Sequence, residues 1–496
     1  MIRRVLIANR GEIALRVIRT CRELAIATVA VYSEADVDAP HVAAADEAVP
    51  IGPAPATDSY LNIPKIIEAA RRAKADAVHP GYGFLSESAA FAQTCEEAGL
   101  TFIGPPSAVI ARAGSKTAAR EAVRAAGVPV VPGGLPVSQA DADLAQAIRG
   151  VGYPALLKAV AGGGGKGMRV VRSAEEITDA IGAARREVQR AFGDGTLYVE
   201  RLIERPRHVE VQILADAHGQ MVHLFERDCT LQRRYQKVVE EAPAPTLAPG
   251  VRERLTQAGL AAARAVGYVN AGTVEFLLQG DGERAEFFFL EINARLQVEH
   301  PVTEEVTGID LVRAQLVIAA GEPLPFSQPD IVCRGHAVEC RIYAEDSARL
   351  LPQSGRLLRY REPHGTGIRL DSGVREGQTI TVHYDPMIAK LTAYAETRAA
   401  AFARVTDALR AFEILGVRHN VAFLLALLAR PEVAACETDT GFIEAHLDEL
   451  AARPSAQIQR AAAAIAAFVV ARGPSPVRAT AAPMPDPWQT LGRLDW

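Results

Sequence analysis

The sequence predicts a multidomain fold that opens as an α/β domain with a doubly wound parallel sheet and continues as α+β. The first observation is size: 496 residues exceed what one hydrophobic core holds, so two to four domains are expected. The second is the alternation of apolar runs and amphipathic stretches through residues 1–114, as in strands and crossover helices. The third is that strand-like runs then mix with helices in a mostly antiparallel pattern over about 115–320.

In order, RRVLIAN is a buried strand, GEIALRVIRTCREL a helix and ATVAVYS a second strand, and DAVHPG and LTFIGP repeat the strand-then-turn pattern. The first turn, NRGEIA, lacks GxGxxG, so this region reads as one wall of a cleft and not as a dinucleotide site. SKTAAREAVRAAGVPVVPG reads helix, turn, strand, and YPALLKAVAGGGGKGMRVV reads strand, glycine loop, strand. A helix follows at SAEEITDAIGAARREVQRAF, then strands at LYVERLI and RHVEVQILAD. GQMVHLFERDCT and LQRRYQKVVEEAPA extend the sheet into a charged loop, VRERLTQAGLAAARAVG is a helix, and AGTVEFLLQ and EFFFLEINARLQ are strands joined by GDGER. Residues 334–448 begin with strands (GHAVECRIYAE, TITVHYD) and end with helices, and 449–496 are alanine-rich, then proline-rich, as a tail or linker is.

Composition excludes several classes. A net charge of −5 supplies no basic field for nucleic acid or anionic membrane. Six scattered cysteines without a CxxC pair argue against a zinc site and a disulfide framework, and for a reducing cytoplasm. The N-terminus enters a strand at once without a signal-peptide core, and the apolar run Ala461 to Ala471 is too short to span a bilayer.

Of 54 basic residues only seven are lysine: 65, 74, 116, 158, 166, 237 and 390. A compact ammonium on a flexible stem suits phosphate oxygens in a way the planar guanidinium does not. Lys65 and Lys74 lie on an amphipathic helix and read as solvated, whereas the other five fall in or beside motif-like segments. Gly162 to Gly165 break strand pairing, so KAVAGGGGKGM is a hairpin with a mobile tip whose bare backbone can wrap phosphates. It is not a Walker A loop, and it reads as a flap over a nucleotide, with Lys158 and Lys116 near the phosphates and Lys166 on the flap.

Glu291, Asn293 and Arg295 alternate and share a strand face, and a turn near Gly282 and Glu283 sets Glu275 opposite Glu291. Two opposed carboxylates repel, and a divalent cation with hard oxygen ligands, Mg²⁺ above all, removes the conflict. Past Arg295 come Gln297 and Glu299, a carboxylate placed to orient or deprotonate a small anion, while Lys237 and Arg341 add cations for a second anion.

Lys116, KAVAGGGGKGM, RPRHVEVQ, ERDCTLQRRYQKVVEEAPAP, the Glu275 strand, EINARLQVEHPVTE and GHAVECRIYAED, in that order, together with ANRGEIALRVIR and AVHPGYGFLSE, resemble biotin carboxylase over residues 1 to about 448. The resemblance implies an N-terminal Rossmann-like pre-ATP-grasp domain (1–114), a central ATP-grasp domain (115–320) with a mobile glycine-rich lid (about 131–204) and a C-terminal α+β domain (334–448). It implies an ATP- and bicarbonate-dependent ligase that forms carboxyphosphate and carboxylates biotin, as the first half-reaction of an acyl-CoA carboxylase. It also implies Mg²⁺ or Mn²⁺, a biotin carboxyl carrier domain or protein, a carboxyltransferase β subunit, and a homodimer or larger α/β complex. By motif, Lys116, Lys158, Gly164, Gly165, Glu200, Arg201, Leu202, Ile203, His208, Gln232, Tyr235 and Leu277 bind ATP, and Glu275, Glu291 and Asn293 hold the metal. Lys237, Arg295, Gln297 and Val298 bind bicarbonate, Glu299 is the base, and Arg341 stabilises the biotin enolate and carboxyphosphate.

Tyr235 stands where many members carry histidine, and Tyr343 and LPQSG differ from the bacterial acetyl-CoA carboxylase subunit. With RLDSGVREGQTITVHYDPMIAKL and DTGFIEAHL they resemble the α-chains of propionyl-, methylcrotonyl- or geranyl-CoA carboxylases. Those chains continue into a carrier domain, whereas this one stops at DPWQTLGRLDW without an AMKM motif, so either its carrier is a separate protein or, as expected here, it is a piece of a longer protein. Rival readings are a carbamoyl-phosphate synthetase-like or purine-pathway ligase, which lacks the Arg341 motif, and a silent scaffold subunit, which predicts damaged catalytic positions.

Overall fold

The computed structural model describes residues 2–160, 168–347, 349, 351–451, 460 and 464. The first region is a five-stranded parallel sheet in the order β3-β2-β1-β4-β5, from β1 (Arg4–Ile7), β2 (Ala27–Ser33), β3 (Glu47–Gly52), β4 (Ala77–His79) and β5 (Thr101–Phe102). Leu6 joins one core and Val5 and Ile7 another, so β1 is buried on both faces, as a parallel strand with apolar residues throughout requires. Helix α1 (Gly11–Glu23) follows β1 and carries Glu12 into the interior.

A smaller four-stranded antiparallel sheet, in the order β6-β9-β7-β8, contains β6 (Gly133–Gly134), β7 (Ala155–Ala159), β8 (Arg169–Val171) and β9 (Leu197–Arg201). Helices Asp141–Val151 and Ile177–Phe192 close one side of its own small core, to which Leu144, Leu157, Ile181 and Val199 contribute. β7 and β8 are the antiparallel strands of the expected hairpin, while its tip, including Gly164, Gly165 and Lys166, lies outside the described residues.

The central feature is an eight-stranded antiparallel sheet. β14 (Glu286–Asn293), β13 (Asn270–Gln279), β10 (Arg207–Ala215), β11 (Met221–Arg233), β12 (Gln236–Ala242) and β15 (His336–Tyr343) lie side by side, continued by strands Met387–Ala395 and Ile368–Ser372. The expected charged loop after GQMVHLFERDCT is instead a hairpin of β11 and β12. Arg233 pairs with Gln236, and Arg234 and Tyr235 form the two-residue turn with φ of 49° and 63°. Charge misled the reading because the acidic and basic side chains of this hairpin are paired with partners on other elements: Arg227 and Lys237 with Glu210, Arg233 with Glu345 and Glu240 with Arg341. TITVHYD yields only a two-residue strand, Thr379–Ile380. Most of the expected tail lies outside the described residues.

Candidate active site

Alternation along β10 sets one face of the central sheet. Val209, Val211 and Ile213 enter the core shared with Leu6, while His208, Glu210 and Gln212, all buried, point the other way. Glu210 stands opposite Glu275 on β13, and Glu275 opposite Glu291 on β14, so three carboxylates run in a row across three strands. Buried carboxylates in that arrangement need cations.

Lys237 supplies the first. Its Nζ donates to Glu210 Oε2 (2.6 Å), Glu275 Oε1 (2.9 Å) and Glu299 Oε1 (2.6 Å). Burial pulls its ammonium down, yet the Cys229 thiol and these carboxylates outweigh it and hold the pKa well above the usual lysine range. Arg227, fully buried, grips Glu210 Oε1 through Nε at 2.6 Å and reaches Gln212, Thr303 and Thr273. Arg341 on β15 donates from Nε to Glu240 Oε1 (2.6 Å) and from Nη2 to Glu299 Oε2 (2.9 Å). Glu299 therefore has one oxygen on Lys237 and the other on Arg341. Burial pushes its carboxyl up, but Lys237, Arg341 and Arg227 prevail and hold it well below the usual carboxylate range.

Arg295 lies just past β14 and donates to Glu87 Oε2 (3.0 Å), Gln297 Oε1 (2.7 Å) and Asn293 Oδ1 (3.1 Å). Gln297 turns its amide toward Glu275 Oε1 at 3.4 Å. Val298 is half-buried, and its carbonyl accepts from Lys390. His208 Nε2 lies 3.0 Å from Glu275 Oε2, and Gln232 sits 3.4 Å from His208 Nδ1. Burial pulls His208 down, but Glu275 outweighs it and raises its pKa.

A second group lies between the small sheet and β14. Glu200 on β9 accepts from Lys158 Nζ (2.6 Å) and Arg120 Nη1 (2.6 Å). Lys116 begins helix Lys116–Ala125, where burial lowers its pKa against the pull of Glu291. The backbone N–H groups of Arg201 and Leu202 donate to Pro132 and Pro154. Ile203, Leu277, Val131 and Phe288 pack into one apolar cluster. Tyr235, at the tip of the β11–β12 turn, is 62% exposed.

The acidic row also tests the fit of a metal. Among the described residues, two groups have ligand atoms within 4.8 Å of one another, His208/Glu210/Glu275 and Glu210/Cys229/Glu299, and the Lys237 ammonium already bonds to their carboxylates. Glu291 is different: it opens on to the cleft, and enclosure by the cleft walls, then the Glu275 charge, raise its pKa. Glu291 with Asn293 and Glu275 presents a hard-oxygen set of the kind that suits Mg²⁺, in which Glu275 shares its oxygens with Lys237 and His208 and Asn293 accepts from Arg295.

Three family models match the chain in succession. The N-terminal domain of biotin carboxylase matches residues 1–110, the ATP-binding domain of the carbamoyl-phosphate synthase L chain matches 115–327, and the C-terminal domain of biotin carboxylase matches 339–445. A biotin carboxylase of Halalkalibacterium halodurans is 52% identical over 447 residues, covering 90% of this chain and 98% of its own length. The chain belongs to the biotin carboxylase family. Its reaction is the ATP- and bicarbonate-dependent carboxylation of biotin. The mitochondrial methylcrotonoyl-CoA carboxylase subunit alpha of Mus musculus is 51% identical over 451 residues, 90% of this chain but 62% of that subunit. Among solved structures, the biotin carboxylase domain dimer of Hydrogenobacter thermophilus 2-oxoglutarate carboxylase, with MgADP, ADP and bicarbonate, superposes with a TM-score of 0.86 at 43% identity, over 92% of this chain and all of that one. A Campylobacter jejuni biotin carboxylase–β,γ-ATP complex gives a TM-score of 0.86 at 43% identity, over 90% of this chain and 99% of that one.

Several residues of this network escaped the sequence reading: Glu87, Arg120, Glu210, Arg227 and Glu240; Lys390 was marked only as a rare lysine, without a role. For Glu210 a signal existed, since RHVEVQ alternates polar and apolar residues and sets His208, Glu210 and Gln212 on one face. Glu87 and Arg120 lie 208 and 80 positions from their partners Arg295 and Glu200, and no local pattern links such pairs.

Proposed function

We propose that this biotin carboxylase uses Glu299 as the base toward bicarbonate and that Lys237, Arg295, Arg341, Gln297 and Val298 frame the anion. The observation that supports this most is the bracketing of Glu299 by Lys237 at 2.6 Å and Arg341 at 2.9 Å. In this arrangement those cations keep the carboxylate ionised and weakly basic. An arriving anion competes for both, so the proton affinity of Glu299 rises when a proton has to be accepted. Glu299 takes the bicarbonate proton, a bicarbonate oxygen bonds to the γ-phosphorus, and the bond to the ADP oxygen breaks. The resulting carboxyphosphate breaks into CO₂ and phosphate, the phosphate takes the N1′ proton of biotin, and N1′ of the enolate so formed, its oxygen charge faced by Arg341, attacks CO₂.

ATP is assigned to the cleft between the small sheet and the acidic row. Leu277 and Ile203 take the base, with Glu200, Arg201 and Leu202 alongside. Lys116, Lys158, His208 and Gln232 face the phosphates and ribose, with Tyr235 at the rim. Gly164 and Gly165, which lie outside the described residues, are assigned to the phosphate flap. Glu275, Glu291 and Asn293 would hold Mg²⁺ or Mn²⁺, which when bound neutralises phosphate charge. The domains are assigned to 1–114, 115–320 and 334–448, with a tail at 449–496. A carrier-borne biotin, a carboxyltransferase β subunit, a homodimer or larger α/β complex and a cytoplasmic location complete the assignment. Among the described residues no helix is long and apolar enough to cross a membrane.

The test is bicarbonate-dependent ADP release with and without free biotin. Stimulation by biotin is expected, and ATP turnover that ignores biotin would leave only the ATP-grasp ligase reading.

A further inference from the structure

Lys390 is the seventh lysine of the sequence and, among the described residues, the lysine buried most completely, with no solvent exposure. It stands on strand Met387–Ala395 directly opposite Arg341 of β15, so the two cations project side by side from one face of the sheet. Arg341 Nη2 holds the Glu299 carboxylate at 2.9 Å, and Lys390 Nζ donates to the carbonyl of Val298 at 2.6 Å. That carbonyl belongs to the peptide unit whose nitrogen is the Glu299 nitrogen. Neighbouring residues of adjacent strands thus hold both ends of one residue, its side-chain oxygen and its backbone.

The lysine is in turn fixed from the N-terminal region. Glu12 Oε1, at the start of α1, lies 3.3 Å from Nζ; the Tyr82 ring centroid is 5.6 Å away, and the Tyr82 hydroxyl donates to Glu12. A buried ammonium is costly without partners, and this one has two oxygens of distinct elements and an aromatic face. Arginine, with its planar fork, would not place a single donor on that carbonyl while also meeting Glu12.

We infer that Lys390 is a positioning residue for biotin carboxylation, setting the direction of Glu299 by holding the Val298–Glu299 peptide and tying it to α1. This rests on the proposed role of Glu299 as the base. Lys390 touches no reacting atom in this arrangement; it acts through Glu299.

The experiment compares Lys390→Met, Lys390→Arg, Glu299→Asp and the two double variants in bicarbonate-dependent ADP release with free biotin, alongside ADP affinity and thermal melting. Lys390→Met is expected to lower kcat by about 10- to 100-fold, with ADP affinity within about twofold of wild type. On the Glu299→Asp background, where the carboxylate is already displaced, the same substitution should cost less than about threefold. Lys390→Arg keeps the charge and should still lose at least about tenfold in kcat. Full activity in Lys390→Arg, or an undiminished additional loss on the Glu299→Asp background, would overturn the inference and leave a plain buried ion pair. Failure of every substitution at 390 to give folded protein would also overturn it, because Lys390 would then be a folding residue. If Glu299→Asp alone is as active as wild type, the base assignment falls, a result distinct from either.

Discussion

The parallel sheet around β1 and the central antiparallel sheet are buried to a similar degree, but by opposite means. β1 offers Val5, Leu6 and Ile7 to cores on both faces, and its stability comes from apolar surface removed from water. β10 gives one face to that same core through Val209, Val211 and Ile213, but the other carries His208, Glu210 and Gln212 into a charged cluster. Each of those charges is costly to bury, and each is compensated by a partner between 2.6 and 3.0 Å away. An apolar core has one stable packing. A ring of carboxylates around Lys237 and Arg341 has partners that an incoming anion can exchange, and that exchange is where chemistry can occur.

Substitutions on the two sheets should therefore separate activity from stability. The largest expected effect is at Arg341. Its replacement by methionine should lower kcat for biotin carboxylation by about 10²- to 10³-fold, measured as biotin-stimulated ADP release. The fold should survive, because burial first, with Glu299 and Glu339 adding to it and Arg341 opposing, already raises the Glu240 carboxyl to about 8, so protonation absorbs the lost cation. Leu6→Ala is the converse: about 3 kcal/mol less stable in urea unfolding, with unchanged turnover per folded molecule.

A smaller effect is expected from pH. Burial raises Glu12 to about 7, Glu240 to about 8 and Glu339 to about 7, with Lys390 and Arg341 opposing. In the unfolded chain these groups titrate near 4.5. Between those values the folded state binds more protons, so this contribution to stability is complete below about pH 4.5 and is lost as pH rises through 7 to 8. The urea midpoint should be higher at about pH 6 than at about pH 8.5, and Glu339→Gln should flatten the difference. The smallest effect is at the apolar cluster of Ile203 and Leu277, where Leu277→Ala should weaken ADP binding about fivefold, about 1 kcal/mol, in a calorimetric titration.

The sequence carried the fold class and the elements wherever hydrophobic period and turn chemistry agreed, as in RRVLIAN and in the β13–β14 hairpin. The pairing of the two strands was legible from the short turn, but the turn alone would set Glu275 opposite Leu290; a register shift between Glu275 and Phe276 brings Glu291 across instead, and no sequence pattern announced it. The β11–β12 hairpin was missed because its turn, Arg234–Tyr235, carries no glycine or asparagine, and its charges read as solvated. Lys390 stood out only as a rare residue. Its meaning depends on Glu12 and Val298, which meet it through tertiary packing and not through any spacing along the chain.

The central claim is that Glu299, held between Lys237 and Arg341, takes the proton that lets bicarbonate be activated. The most direct measurement is the transfer of isotopically labelled carboxyl from bicarbonate to free biotin by the wild type and by Glu299→Gln, with ADP affinity determined for both. The wild type should form labelled carboxybiotin, and the variant should bind ADP normally while losing about 10³-fold in transfer. A Glu299→Gln protein that carboxylates biotin at the wild-type rate would contradict it.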